Sequence, residues 1–128
     1  MPYINLLVHP EISDEQAAIL ADGITDAMVE VMGKRREVTA VRVAGANATV
    51  WTLGGAPAAS PTAYLDVKIT AGTNSTAEKE ELVRRLHGLL NATLGALAEA
   101  SYIVIHELPA ENWGYSGMTQ AARAGSRL

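Results

Sequence analysis

The feature that most limits what this chain can fold into is an internal repeat. Ser13, Trp51 and Gly55 recur as Ser75, Trp113 and Gly117, each 62 positions further on. Both serines open a helix signal. Ser13-Asp14-Glu15-Gln16 and Ser75 with Glu78 each place a hydroxyl at the cap and a Glu or Gln three residues later, the reciprocal arrangement that satisfies two orphan N–H groups. An offset near 60 residues is too long for one solenoid repeat and suits the duplication of a whole supersecondary unit. The chain therefore reads as one α/β domain of two tandem β-α-β units, residues 1–55 and 62–117. A small-residue linker spans 56–61 and a tail spans 118–128.

Within the first unit, Tyr3 to Val8 is an almost unbroken apolar strand. The helix from Ser13 to about Met32 carries Leu20, Ile24, Met28 and Val31 on one stripe, the spacing of a buried helical face. Gly33 suits its end. Lys34-Arg35-Arg36-Glu37 is a solvated connection, Val38 to Ala44 a second strand, and Gly45-Ala46-Asn47 a turn. In the second unit, Tyr64 to Ile69 alternates apolar and polar residues. A helix then runs to about Leu97 on a leucine stripe, and Tyr102 to Glu107 forms the last strand. Right-handed crossovers make the two strands of each unit parallel. They set both helices on one face of a four-stranded sheet. The opposite face is left bare, and a sheet with one uncovered face that is partly apolar calls for a partner. The expectation is a homo-oligomer built on those faces.

Composition removes several classes of function. The net charge of −4, with no run of five like charges, argues against nucleic acid and anionic membranes as partners. No apolar run approaches the ~20 residues of a membrane helix. With no cysteine, disulfides and thiol chemistry are excluded. His9, His87 and His106 have no metal-ligand spacing. The start of the chain lacks the basic and apolar regions of a signal peptide. A cytoplasmic protein fits these features.

The residue with chemistry to offer is Pro2. Proline is tolerated at a strand's first residue, where its missing N–H falls outside the ladder. If Met1 is removed, the terminus becomes a secondary ring amine at the edge of an apolar core. An α-amino group titrates at roughly 7.7–8.0, and apolar surroundings lower that value. The product is a neutral base near pH 7, suited to moving a proton.

The opening Pro2-Tyr3-Ile4, the Ser13-Asp14-Glu15-Gln16 entry, the Val41-Arg42-Val43 strand and the two tryptophan-to-glycine closures together resemble the tautomerase superfamily. Its simplest member, 4-oxalocrotonate tautomerase, is a single β-α-β unit of about half this length. This chain resembles a fused version over nearly all its residues. The resemblance implies a trimer of fused chains, with processed Pro2 as catalytic base. It implies that Arg42 binds a substrate carboxylate or enol oxygen. It also implies that Trp51 or Trp113 makes the pocket apolar, and Tyr115 is a candidate pocket hydroxyl. Only one such site per chain is expected, since no residue near Ala63 can be a free terminus, and Tyr102 or Val104 stands where Arg42 would recur. The arginine that single-unit members carry after their first strand is missing: Ile12, and Thr73 or Asn74, hold that place. The residues that would activate water in the dehalogenase branch are replaced by Val29, Ala71, Asn74 and Tyr115.

The implied activity is cofactor-independent and metal-independent keto–enol tautomerisation of small 2-hydroxy-dienoate or enolpyruvate-type carboxylates. The alternatives are a non-catalytic small-ligand or assembly module on the same fold, or a promiscuous dehalogenase, hydratase or decarboxylase of the superfamily.

Overall fold

The computed structural model describes residues 1–45 and 50–125. The remainder of the Gly45-Ala46-Asn47 turn and the end of the tail lie outside the described residues. The first unit begins with β1 (Tyr3–His9), followed by α1 (Asp14–Glu30). The chain returns through a 3₁₀ turn (Arg36–Val38) to β2 (Ala40–Gly45), then makes β3 (Thr52–Leu53) and β4 (Ala56–Pro57). The second unit repeats the order with β5 (Thr62–Thr70), α2 (Thr76–Leu94) and β6 (Tyr102–Leu108). A 3₁₀ turn (Ala110–Asn112), β7 (Gly114–Tyr115), β8 (Met118–Thr119) and α3 (Gln120–Gly125) complete it.

Both capping boxes form as the sequence requires. The Ser13 hydroxyl accepts from the Gln16 N–H and the Gln16 side chain accepts from the Ser13 N–H, and Ser75 and Glu78 do the same. Several boundaries differ from expectation, and three have a clear local cause. The second strand starts at Ala40 instead of Val38, because the Val38 and Thr39 N–H groups turn back to the Arg35 and Arg36 carbonyls. Helix α2 stops at Leu94 instead of Leu97, because Gly95 takes a φ of +92°, a left-handed conformation that glycine adopts without a Cβ penalty. Each tryptophan-to-glycine closure is a β-hairpin, β3–β4 or β7–β8. Gly54-Gly55 and Ser116-Gly117 turn them with positive φ at both central residues, the demand of a tight hairpin. Their return strands occupy residues 56–57 of the expected linker and 118–119 of the expected tail.

The sheet order is β2-β1-β5-β6. β1 pairs with β2, and β5 with β6, in parallel; the two units join through antiparallel β1 and β5. Asn5 lies opposite Asp66 near the centre of that junction. In β1 the even positions Ile4, Leu6 and Val8 are buried, and in β5 the odd positions Leu65, Val67 and Ile69. These side chains meet Leu20, Ile24 and Met28 of α1 and Leu82, Leu86 and Leu90 of α2 in one core. Burying each is worth roughly 1.5–3 kcal/mol. The helices pack closely because Gly23 lets Leu89 approach; a Cβ there would stand 2.7 Å from its methyl carbon.

Neither α1 nor α2 packs on the opposite face of the sheet. Three cross-strand rows run over it: Ala40, Tyr3, Lys68 and His106; Arg42, Asn5, Asp66 and Val104; Ala44, Leu7, Tyr64 and Tyr102. Tyr3, Leu7 and Tyr102 remain 36%, 39% and 55% exposed, so the bare face expected from the two crossovers is present. Among the described residues, no helix is long and apolar enough to cross a membrane.

Candidate functional site

The N-terminal end of β1 brings Pro2 and the terminal amine close to Lys34. Pro2 is buried, and its carbonyl accepts a hydrogen bond from the Ala40 N–H at 3.2 Å, which fixes the start of β1 beside β2. The terminal amine of Met1 is held below its ordinary value of 8.0, first by burial and then by the charges of Lys34 and Arg35. A basic group in such surroundings is easier to keep neutral.

Lys34 is the functional candidate that the sequence reading missed, having placed it in a solvated connection. It is half-buried, and its Nζ donates to Thr73 Oγ1 at 2.8 Å, a contact between the two units. Thr73 Oγ1 in turn donates to the Thr70 carbonyl. Burial lowers the Lys34 ammonium below its usual range, while the Glu78 carboxylate opposes that shift. The signal was available in the topology. A parallel β-α-β unit brings the end of its helix back to the start of its first strand, so residues following Gly33 must pass the terminus. The neighbouring loop is tied in by Asn74, whose Nδ2 donates to the Met32 carbonyl at 3.0 Å.

The other candidates separate. Arg42 is exposed on the open face, where its Nη1 donates to Asn5 Oδ1 at 3.0 Å. Pro2 has the parity of the buried positions, so within one chain the Arg42 side chain projects from the face away from that ring. Val104 answers to Arg42 in the second unit, since Arg42 faces Asn5 and Val104 faces Asp66. Trp51 lies at the far end of β1, with its ring tilted at 46° and 6.1 Å from that of His9. Trp113 and Tyr115 lie at the same end of the sheet as Pro2. Gln120 donates its N–H to the Trp113 carbonyl, and Thr70 Oγ1 donates to Gln120 Oε1 at the end of β5. Arg123 holds this hairpin: it donates to the Tyr115 carbonyl at 3.0 Å and stacks 4.2 Å over the Tyr115 ring. His106 pairs with Asp66 at 2.7 Å on the open face. A groove of about 410 Å³ lined by Thr76, Lys79, Glu80, Val83 and Ile105 has none of these candidates in its walls.

A terminal amine lowered first by burial and a half-buried lysine thus meet at the start of the first strand, in a frame of two β-α-β units. The comparisons agree at the level of family. A family model described as tautomerase enzyme matches residues 2–58 and again residues 64–123. The chain belongs to the tautomerase family, with the two matches falling on its two units. It is similar to a wild-type fused 4-OT solved as an asymmetric trimer, at 26% identity over 94% of this chain and 98% of that one, with a TM-score of 0.82. It is also similar to a macrophage migration inhibitory factor-like protein from Entamoeba histolytica, at 25% identity over 92% and 97% of the two chains, with a TM-score of 0.77. A protein named Pt0534, solved after inactivation by 2-oxo-3-pentynoate, shares the fold at 18% identity over 94% and 98%, with a TM-score of 0.85. No curated protein matches the chain by sequence.

Proposed function

We propose that the chain is a keto–enol tautomerase of small 2-hydroxy-dienoate or enolpyruvate-type carboxylates, with Pro2 as general base once Met1 is removed. The observation that carries this reading is the terminal amine's surroundings: a buried strand entry with Lys34 and Arg35 beside it. On loss of Met1 the Pro2 ring nitrogen inherits them.

The neutral nitrogen takes the proton of the enol hydroxyl, and the protonated ring amine delivers one to the distal carbon of the conjugated system. Charge passes through an enolate during the transfer. Lys34 binds the substrate carboxylate, and its charge also favours the neutral amine. Arg42 of a partner subunit completes the site. There it makes a charge-assisted pair, stronger than a neutral hydrogen bond, and stabilises the developing oxyanion. Trp113 and Tyr115 from one chain and Trp51 from a neighbour exclude water. The open face is buried in a homotrimer, and the setting is cytoplasmic. The chemistry uses only protein side chains and the terminal amine.

The test is ketonisation of phenylenolpyruvate and 2-hydroxymuconate by the purified protein and by a Pro2→Ala variant whose far-ultraviolet circular dichroism is unchanged. Turnover by the parent and a loss of ~10²–10⁴-fold in the variant, the span of general acid–base catalysis, is the expected result. Equal turnover by both would refute the assignment of the base.

A further inference from the structure

The end of β5 holds a polar group that the mechanism above does not use. Gln120, the first residue of α3, has its amide oxygen fixed by Thr70 Oγ1 at 2.5 Å. Its Nε2 is buried and has no hydrogen-bond partner among the described residues. A buried donor left without an acceptor is destabilising, and native structures keep few of them. Its neighbours are already engaged: the Gln120 N–H is taken by the Trp113 carbonyl, and Arg123 holds the Tyr115 carbonyl and ring.

The location gives this donor a role. Tyr3 faces Lys68 in the β1–β5 ladder, and continuing the register sets Ile69 opposite Pro2 and Thr70 opposite residue 1. Thr70 therefore stands where the chain begins. Its carbonyl accepts from Thr73 Oγ1, which accepts from Lys34 Nζ; its hydroxyl holds Gln120. Lys34 and Gln120 thus reach the same strand end through one residue. Lys34 comes from the end of α1 and Gln120 from the start of α3, where it meets the Thr70 side chain, which has the parity of the open face.

We infer that Gln120 is a substrate-binding residue of the Pro2 site, its Nε2 donating to the C2 oxygen of a 2-keto or 2-enol carboxylate whose carboxylate meets Lys34. The inference rests on the reading of Pro2 as the base, and it deepens that reading by naming the donor for the substrate's second oxygen. An amide donor at this place selects a 2-oxo or 2-hydroxy acid over a simple carboxylate, because only the former supplies the acceptor. The separation between the two oxygens then fixes which carbon faces the ring nitrogen.

The experiment has two arms. In the first, the side-chain amide resonances of Gln120 are followed in ¹⁵N-labelled unmodified protein as phenylpyruvate or phenylpropionate is added. A shift with the keto acid and none with its deoxy analogue is expected. Resonances that ignore both, or answer both alike, overturn the inference whether or not Pro2 is the base. In the second, Gln120→Leu, which keeps the bulk and removes the donor, is assayed on phenylenolpyruvate beside Pro2→Ala. The expected result is a fall in kcat/KM of about 3- to 10-fold, the scale of one lost neutral hydrogen bond, with KM carrying most of it. An unchanged kcat/KM with weakened trimer association assigns the donor to a subunit contact and overturns the inference. Pro2→Ala retaining turnover would remove the base alone, because the resonance arm reads Gln120 independently.

Discussion

The two repeats carry the same scaffold and differ where chemistry would sit. Both begin with a buried apolar strand, both cap their helix with a reciprocal serine box, and both return to a parallel strand and a two-residue hairpin turn. The first begins at a chain terminus beside Lys34 and Arg35 and carries Arg42 on its second strand. The second begins inside the polypeptide at Thr62-Ala63, both fully buried, and shows Val104 where Arg42 would recur. Packing treats the copies alike, since each helix presents the same kind of stripe to one shared core. A terminal amine exists once per chain. The second unit keeps the core stripe and the parallel pairing with Val104 in place of Arg42, so the packing does not depend on that charge.

That contrast can be broken at several points. The largest effect is expected from blocking the ring nitrogen without touching the fold. An alanine inserted between Met1 and Pro2 should lower phenylenolpyruvate turnover ~10²-fold or more, the contribution of a general base, at unchanged helicity. Full activity in that variant would detach the chemistry from the terminus. Next in size are paired core truncations. Leu20→Ala in α1 and its counterpart Leu82→Ala in α2 should each destabilise by about 2–5 kcal/mol in urea unfolding. A cost confined to one of them would show that the halves are not equivalent scaffolds.

Arg42→Ala should reduce kcat/KM about 10- to 100-fold, as expected for losing a charge-assisted contact, while Val104→Ala changes it less than about 3-fold. Similar losses in the two would erase the functional asymmetry. A smaller signature lies in pH. With Met1 in place, the amine's folded value lies below 8.0, so the unfolded chain binds more protons between the two values. Stability should rise with pH through that window and level off near 8. Stability that falls across it would reverse the sign. The smallest effect belongs to the helix caps, where Ser13→Ala and Ser75→Ala should each cost about 1 kcal/mol in thermal melts.

Much of this was legible in the sequence because the repeat supplied each element twice. The serine boxes, the leucine stripes and the parallel pairing follow from local spacing and chain handedness, and the bare sheet face follows from both helices crossing the same way. The parity of β1 was not legible. Tyr3 to Val8 is apolar at nearly every position, and only the pairing of Asn5 with Arg42 and Asp66 shows which side is open. The hairpins were seen as closures but not as strands, since Thr52-Leu53 and Ala56-Pro57 are too short to show alternation. Lys34 was hidden for a different reason. Its neighbours Arg35 and Arg36 are exposed, so the run reads as solvated, and only the return of the crossover brings Lys34 to the terminus. Gln120 carried no signal, because its position depends on Thr70, fifty residues earlier.

The central claim is that the first ring nitrogen of the mature chain is a desolvated amine that is neutral near pH 7. The direct measurement is a ¹⁵N-proline titration of Pro2 in the processed protein, followed by its chemical shift. A midpoint clearly below the ordinary α-amino range of roughly 7.7–8.0 is predicted. A midpoint within or above that range, or a Pro2 nitrogen still bonded to Met1, would contradict it.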